Sequence, residues 1–363
     1  MTPPARGTIR LCSSVLVPLV IFALLGAEGT AAARLQAARH LNKNAKHGVM
    51  PAIPEEHPDG ARLAVSKPKP VVHPKAKPKP APRVAWPAIP QEQLARFSTK
   101  SVFSGLGAWV DVYDYPVLPL DKTIRVMRNA GVQTLYIETG GTWTSSSVIP
   151  ASVRWLVAAH NAGMKVVAWY LPYYSNVRFD VARTLQIARF NWRGYKFDGV
   201  GIDIEFKGAM GNNKIWNHNV VEHFSRVRHR LGPNYPLAAI PPPPLQMRLA
   251  PSTWHGFPWT QLGKLSSDIM LMSYWSFRSG CPQIRLNCAY EFTKYNVEIT
   301  RAMTGGRVPI HIIGGVGDGI NWKQLNQFVQ GAIDAHADGA SIYDVVTTRP
   351  EWWRSLTRLR ALG

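Results

Sequence analysis

Cysteine is scarce in this chain of 363 residues, occurring only at positions 12, 281 and 288. That excludes a small disulfide-stapled scaffold, which needs several bridges to replace a core. Residues 11–27 form an uncharged apolar run approaching a bilayer span, and the other uncharged run of that length, 231–247, is broken by six prolines, so a protein crossing a membrane many times is excluded as well. Acidic residues are few, 22 against 42 lysines and arginines. With 46% of residues hydrophobic, a chain disordered throughout is also ruled out. No serine lies in a Gly-x-Ser-x-Gly elbow, which argues against an esterase, and no helix carries His-Glu-x-x-His. The histidines and glutamate at His218, Glu222, His223 and His229 read as a solvated helix face, so neither a metal nor any other cofactor is expected. The glycine-rich run 314–319 lacks the residues of a phosphate fingerprint and reads as a tight loop.

The basic excess is unevenly placed. Residues 1–100 hold 15 basic and 5 acidic side chains, and the other half of the net charge is diluted over residues 101–363. Arg6 and Arg10 precede the apolar run 11–27, and Thr30-Ala31-Ala32-Ala33 follows it with small side chains. Residues 1–33 therefore read as an export signal or an uncleaved membrane anchor. Either way the protein is expected outside the cytoplasm, secreted or at the cell surface, where a Cys281–Cys288 loop disulfide is allowed. Residues 34–100 read as a disordered linker. Eleven prolines fall between positions 51 and 90, interleaved with lysines as in Lys67-Pro68-Lys69-Pro70 and Lys77-Pro78-Lys79-Pro80. Proline removes backbone donors, and like charges hold the chain extended. Such a segment is either a spacer or a cationic strap against anionic cell wall or membrane. Nucleic acid is not an expected partner of an exported strap.

From about residue 104 short apolar runs alternate with amphipathic stretches. Strands are expected at 107–112, 133–139, 165–171, 198–205, 236–240, 268–274, 308–314 and 339–345. Helices are expected at 120–130, 151–162, 180–191, 219–231, 259–265, 290–303, 322–335 and 351–362. Eight strands alternating with helices imply parallel pairing through crossovers. The expected fold is α/β, a (β/α)8 TIM barrel over residues 101–363, monomeric. An open doubly wound sheet is the competitor, but no glycine-rich phosphate turn follows the first strand.

Barrel enzymes carry their chemistry at the C-terminal ends of the strands. Those ends here present Asp111 and Tyr113, Glu138, Trp169 and Tyr170, Asp203 and Glu205, Tyr274 and Trp275, and Tyr343 and Asp344. Rings around a carboxylate-bearing cup suit a carbohydrate, whose ring faces stack on aromatics while its hydroxyls need polar partners. The fourth run, Asp198-Gly199-Val200-Gly201-Ile202-Asp203-Ile204-Glu205-Phe206-Lys207-Gly208, is the sharpest signal. Strand alternation puts Val200, Ile202 and Ile204 outward and Gly201, Asp203 and Glu205 into the barrel. Two acids on one row raise each other's pKa, which makes Glu205 a proton donor near neutrality.

This segment resembles the signature of family 18 glycoside hydrolases, the chitinase-like barrels, whose fourth strand reads D-G-x-D-x-D-x-E. Asp198, Gly199, Asp203 and Glu205 match it, and Met270-Leu271-Met272-Ser273-Tyr274 resembles the family's Met-x-Tyr-Asp run. The resemblance implies Glu205 as acid, Asp203 positioning the substrate's N-acetyl group, and Tyr274 as a further donor to it. In such enzymes the substrate's acetamide is the nucleophile. The opening Gly107-Ala108-Trp109-Val110-Asp111-Val112-Tyr113-Asp114-Tyr115 resembles that of uncharacterised secreted glycosidase-like barrels of actinobacteria. Departures are Gly201 for the middle Asp, Trp275 for the Asp after the tyrosine, Val166-Val167-Ala168-Trp169-Tyr170 for a small third-strand ending, and Tyr343 for a floor tryptophan.

The implied function is hydrolysis of an N-acetylhexosamine-containing polysaccharide such as peptidoglycan or a chitin-like polymer. Asp111, Tyr113, Glu138, Trp169, Tyr170, Trp275, Tyr343 and Asp344 are the expected substrate contacts. Two alternatives stand beside this reading. One is a two-carboxylate mechanism with Glu138, or else Asp111 or Asp344, as partner of Glu205. The other is a carbohydrate-binding barrel without turnover, which the glycine at 201 favours.

Overall fold

A computed structural model of the protein describes residues 101–207, 211–277, 288–306 and 308–363. The expected signal or anchor, the linker and Cys281 lie outside the described residues. Among those described, no helix is long and apolar enough to cross a membrane.

Eight parallel strands close into a barrel in sequence order: β1 (Gly105–Val110), β2 (Thr134–Gly141), β3 (Lys165–Leu171), β4 (Gly199–Asp203), β5 (Leu237–Ile240), β6 (Asp268–Met272), β7 (Ile310–Gly314) and β8 (Gly339–Ile342). Closure is made by β8 pairing back onto β1, with Gly105 opposite Gly339 and Gly107 opposite Ser341. Outward residues such as Leu135, Ile137, Val200, Ile202, Ile204, Leu237, Ile269 and Ile312 share one core with the surrounding helices. Inward residues Trp109, Tyr136, Val167, Trp169, Ala238, Ile240, Met270, Met272 and Ile313 make a second core inside the barrel. This division is the strand alternation expected of a sheet buried on both faces.

The helices are α1 (Leu120–Ala130), α2 (Pro150–Asn161), α3 (Val177–Ala188), α4 (Asn213–Leu231), α5 (Pro244–Leu249), α6 (Trp259–Leu265), α7 (Cys288–Met303), α8 (Trp322–Asp334) and α9 (Trp353–Leu356). Two, α3 and α4, begin at least three residues earlier than the apolar periodicity indicates, because asparagines cap them. Asn176 accepts from Phe179 N ahead of α3, and Asn212 accepts from Lys214 N and Ile215 N ahead of α4. A reciprocal pair, Asn321 and Gln324, caps α8 in the same way. The proline run after β5 ends by starting α5, with Pro244 in its first turn. The expected C-terminal helix is broken into α9 flanked by tighter turns at Pro350–Trp352 and Thr357–Ala361. His223, expected on a solvated face, is instead fully buried between α3 and α4, where it pairs with Thr184 Oγ1 at 2.9 Å.

Two polar assemblies anchor the lower barrel. Asp198 Oδ2 receives Val166 N at 2.6 Å and meets His160 Nε2 of α2 at 2.8 Å, so this acid ties β3 and β4 to a helix rather than serving the mouth. Inside, Trp109 Nε1 donates to Ser341 Oγ at 2.7 Å, which lies 2.8 Å from His311 Nε2, while His311 Nδ1 lies 2.8 Å from Phe103 O. One tautomer satisfies the whole series: Nδ1–H donates to Phe103 and Nε2 accepts from Ser341. Burial lowers His311 to about 4, which keeps it neutral and able to accept. Ser341→Ala strands both the indole N–H and Nε2 in the interior. We expect it to lower unfolding stability by about 1–3 kcal/mol, read as an earlier urea midpoint with an unchanged slope.

Candidate active site

Strands β1, β4, β6 and β8 end two or three residues before their expected ends, so the expected site residues stand mostly in the turns just above the barrel. At this end of the barrel Asp111, Glu138, Asp203 and Asp344 are each less than a tenth exposed. Glu205, two residues beyond β4, reaches solvent. It feels the same surroundings as the buried acids: its charge acts on Glu138, on Asp203 and on the Tyr274 hydroxyl. Tyr274 and Tyr343 lie 6.0 Å apart between centroids, and Tyr343 Oη donates to Asp111 Oδ2 at 3.1 Å. Tyr113 sits within reach of Glu138 and Asp111. Glu205, Asp203, Glu138, Asp111, Asp344, Tyr113, Tyr274 and Tyr343 are thus gathered in one cup.

Trp169 faces the same cup from β3, but Tyr170 does not. Adjacent strand residues point to opposite faces, so only one of the two can face inward. Tyr170 turns to α3, where its hydroxyl donates to Asp180 Oδ1 at 2.7 Å. Trp275 is likewise corrected: β6 ends at Met272, and Trp275 stacks on Phe328 of α8 with centroids 5.1 Å apart, behind the barrel wall. Neither ring can touch a substrate in the cup. Trp109, not singled out from sequence, forms the floor. It stacks on Tyr136 at 4.5 Å and lies 6.0 Å from Trp169 and 6.3 Å from Tyr343. Its parity with Asp111 on the first strand was the available signal.

Gly201 has a structural explanation. A side-chain Cβ there would lie 2.7 Å from Ile240 Cδ1 and 3.7 Å from Trp169 Cβ. The volume that a middle aspartate would need is filled by Ile240 of β5. Asp203, the next inward residue, keeps Oδ1 buried and without a partner, and the same holds for Trp169 Nε1 on the neighbouring strand. A buried donor or acceptor left unmade is costly, and two such atoms in the cup lining are places for a ligand's polar groups.

Three of these carboxyl groups, Glu138, Asp203 and Glu205, are pushed toward their neutral forms. Burial raises Glu138 to about 8, reinforced by Asp111 and Glu205 and opposed by a hydrogen bond from Val112 N at 3.1 Å. Burial also raises Asp203, aided by the charges of Glu205 and Glu138. Glu205 is raised by the protein atoms that crowd it, although the residue as a whole is exposed. Lys207, the nearest cation along the chain, turns away: its Nζ donates to Asn213 Oδ1 and Thr253 O and sits over Trp216 and Trp254. Lys207 therefore does not offset the crowding.

Asp111, Asp114 and Asp344 bring carboxylate oxygens within 4.8 Å of one another, close enough to share a cation. Their oxygens already fix turns. Asp111 Oδ1 accepts from Tyr113 N and Asp114 N, Asp114 Oδ2 from Asp111 N, and Asp344 Oδ1 from Thr347 N.

The fold is a closed parallel barrel that carries acids and rings at the C-terminal ends of its strands. No family model matches the chain, and no curated protein matches it. Solved structures do. The PgaB (BpsB) glycoside hydrolase domain from Bordetella bronchiseptica superposes over 72% of this chain and 100% of its own, with a TM-score of 0.52 and 12% identity. The Bacillus cereus spore cortex-lytic enzyme SleL covers 73% of this chain and 76% of its own, with a TM-score of 0.54 and 9% identity. A chitinase from Bacteroides thetaiotaomicron covers 71% and 97%, with a TM-score of 0.53 and 11% identity. At such identities the likeness is one of fold.

Glu138 supplies a test of the site's electrostatics. Its pKa is about 8 folded and near 4.5 when exposed, so its contribution to stability is complete below pH 4.5 and is lost as pH rises through 8. Glu138→Gln, which cannot ionise, is expected to be more stable than the parent at pH 8.5 by on the order of a few kcal/mol. The two should converge at pH 4.5, as measured by chemical denaturation at both pH values.

Proposed function

We propose that this protein is an exported glycoside hydrolase that cleaves an N-acetylhexosamine-containing polysaccharide, peptidoglycan or a chitin-like polymer, with Glu205 as general acid. The observation that carries the proposal is the pairing of a solvent-reaching Glu205 with a buried Asp203 whose Oδ1 lacks a partner, inside a ring-lined cup. The fold likeness to a chitinase and a spore cortex-lytic enzyme supports the same substrate class.

In this reading the raised pKa keeps a proton on Glu205 for the leaving glycosidic oxygen. Asp203 Oδ1 accepts the N–H of the substrate's acetamide, and Tyr274 donates to the acetamide oxygen. The acetamide oxygen, so oriented, attacks the anomeric carbon as the bond to the leaving sugar breaks, and water then opens the cyclic intermediate. Glu138 favours this route over a two-carboxylate mechanism. Held at about 8 it is protonated near neutrality, which suits a hydrogen-bond donor rather than an anionic nucleophile. Asp111, Tyr113, Trp169, Tyr343 and Asp344 complete the sugar's surroundings. Export, monomeric state and contact of the basic linker with anionic wall or membrane belong to the same proposal.

Ile240 in the space of a middle aspartate supports the second reading, a carbohydrate-binding barrel without turnover. Reducing-sugar release from peptidoglycan and chitin separates the two. We expect Glu205→Gln to lose about 10²–10⁴-fold in turnover while still sedimenting with the polymer. Equal release by parent and variant overturns Glu205 as acid. Polymer binding with no release by either protein selects the binding barrel.

A further inference from the structure

Trp143 is nearly half exposed, 46%, in a chain that buries most of its tryptophans among the described residues. It stands in the loop between β2 and α2, beside the cup rather than in it. Its indole lies across Gly141: a Cβ there would sit 2.0–2.4 Å from three carbons of its six-membered ring. Tyr173, from the loop after β3, lies 5.8 Å from it at an interplanar angle of 31°. Phe206, the residue after Glu205, continues the row 4.4 Å from Tyr173 at 36°. Tyr173 is also within electrostatic reach of Tyr113, itself beside Glu138 and Asp111. Three rings from three successive loops thus form a row that begins next to Glu205 and runs outward over the rim.

The backbone beneath the row is pinned from below. Asp180 of α3, 1% exposed, accepts from Tyr170 Oη at 2.7 Å, Thr142 Oγ1 at 3.3 Å and Tyr174 N at 3.1 Å. Thr142 Oγ1 in turn accepts from Tyr173 N at 3.0 Å, and Thr142 N donates to Leu171 O at 3.2 Å. Tyr170, which faces away from the cup, therefore serves the residues flanking both outer rings. Rings held in place before a ligand arrives lose little entropy on binding one. A large indole left nearly half exposed is otherwise a liability at a surface.

We propose that Trp143, Tyr173 and Phe206 form an outlying subsite that binds one pyranose ring of the same polymer, at a sugar removed from the bond held over Glu205. The row's apolar faces, without charge of their own, suit the C–H face of a sugar and distinguish it from the acidic cup. This rests on the polysaccharide reading above and adds to it a length requirement: chains that reach the row bind better than chains that fill the cup alone.

The test uses the full chain carrying Glu205→Gln, so that oligomers survive, and chitin oligomers of increasing length as the probe. Calorimetric affinity is expected to step up about tenfold at the length that first reaches the row. Trp143→Ala should abolish that step, Trp143→Phe should keep part of it, and Gly141→Ala, which unseats the indole without removing it, should behave like the alanine variant. A step that survives both Trp143→Ala and Gly141→Ala overturns the subsite while leaving the cup's reading intact. Absence of any oligomer binding by the Trp143-containing protein overturns both.

Discussion

Carboxyl groups crowd the open end of this barrel, and the site's character follows from that crowding. Burial drives Glu138, Asp203 and Glu205 toward their neutral forms, and the charge of Glu205 adds to the effect at Glu138 and Asp203. An acid that holds its proton near neutrality is what departure of a sugar leaving group requires. Trp109 packs against Tyr136 and Trp169 as an aromatic floor beneath these acids. Lys207, the nearest cation along the chain, is committed elsewhere, between two indoles.

The exchange at Gly201 shows how the cup accommodates its departure from the family 18 pattern. Removing one side chain from β4 gives room to Ile240 of β5, and the inward core stays filled. The consequence falls on Asp203, whose Oδ1 stays buried and without a partner. Ring placement follows the same economy of faces. Tyr170 and Trp275, adjacent in sequence to inward residues, belong to the helix layer, where one supports a loop through Asp180 and the other fills space against Phe328.

Most of the barrel was legible because its strands are short apolar runs with β-branched residues on the outward parity, and that pattern survives without knowledge of neighbours. Strand β3 and helices α1 and α6 match their expected bounds. Strand ends were less legible, since pairing stops where neighbouring strands diverge and not where apolar character stops. Helix starts at α3 and α4 were set by asparagine caps that the apolar period passes over. The acids at Asp203, Glu205, Glu138, Asp111 and Asp344 were visible as residue types at strand ends. Trp109 shared their parity and was passed over, and the row from Trp143 to Phe206 carried no local mark.

What the amino-acid order determined alone was the alternation: which residues of each strand face helices, which face the lumen, and hence that Asp203 and Glu205 rise along one inward row. That follows from the two-residue period of a strand, a property of the backbone itself. Only the tertiary structure decided how strongly those acids hold protons, what fills the space at Gly201, and which rings stand together at the rim. Each depends on side chains tens to hundreds of residues apart meeting within a few ångströms, and closure of the sheet is what brings them there.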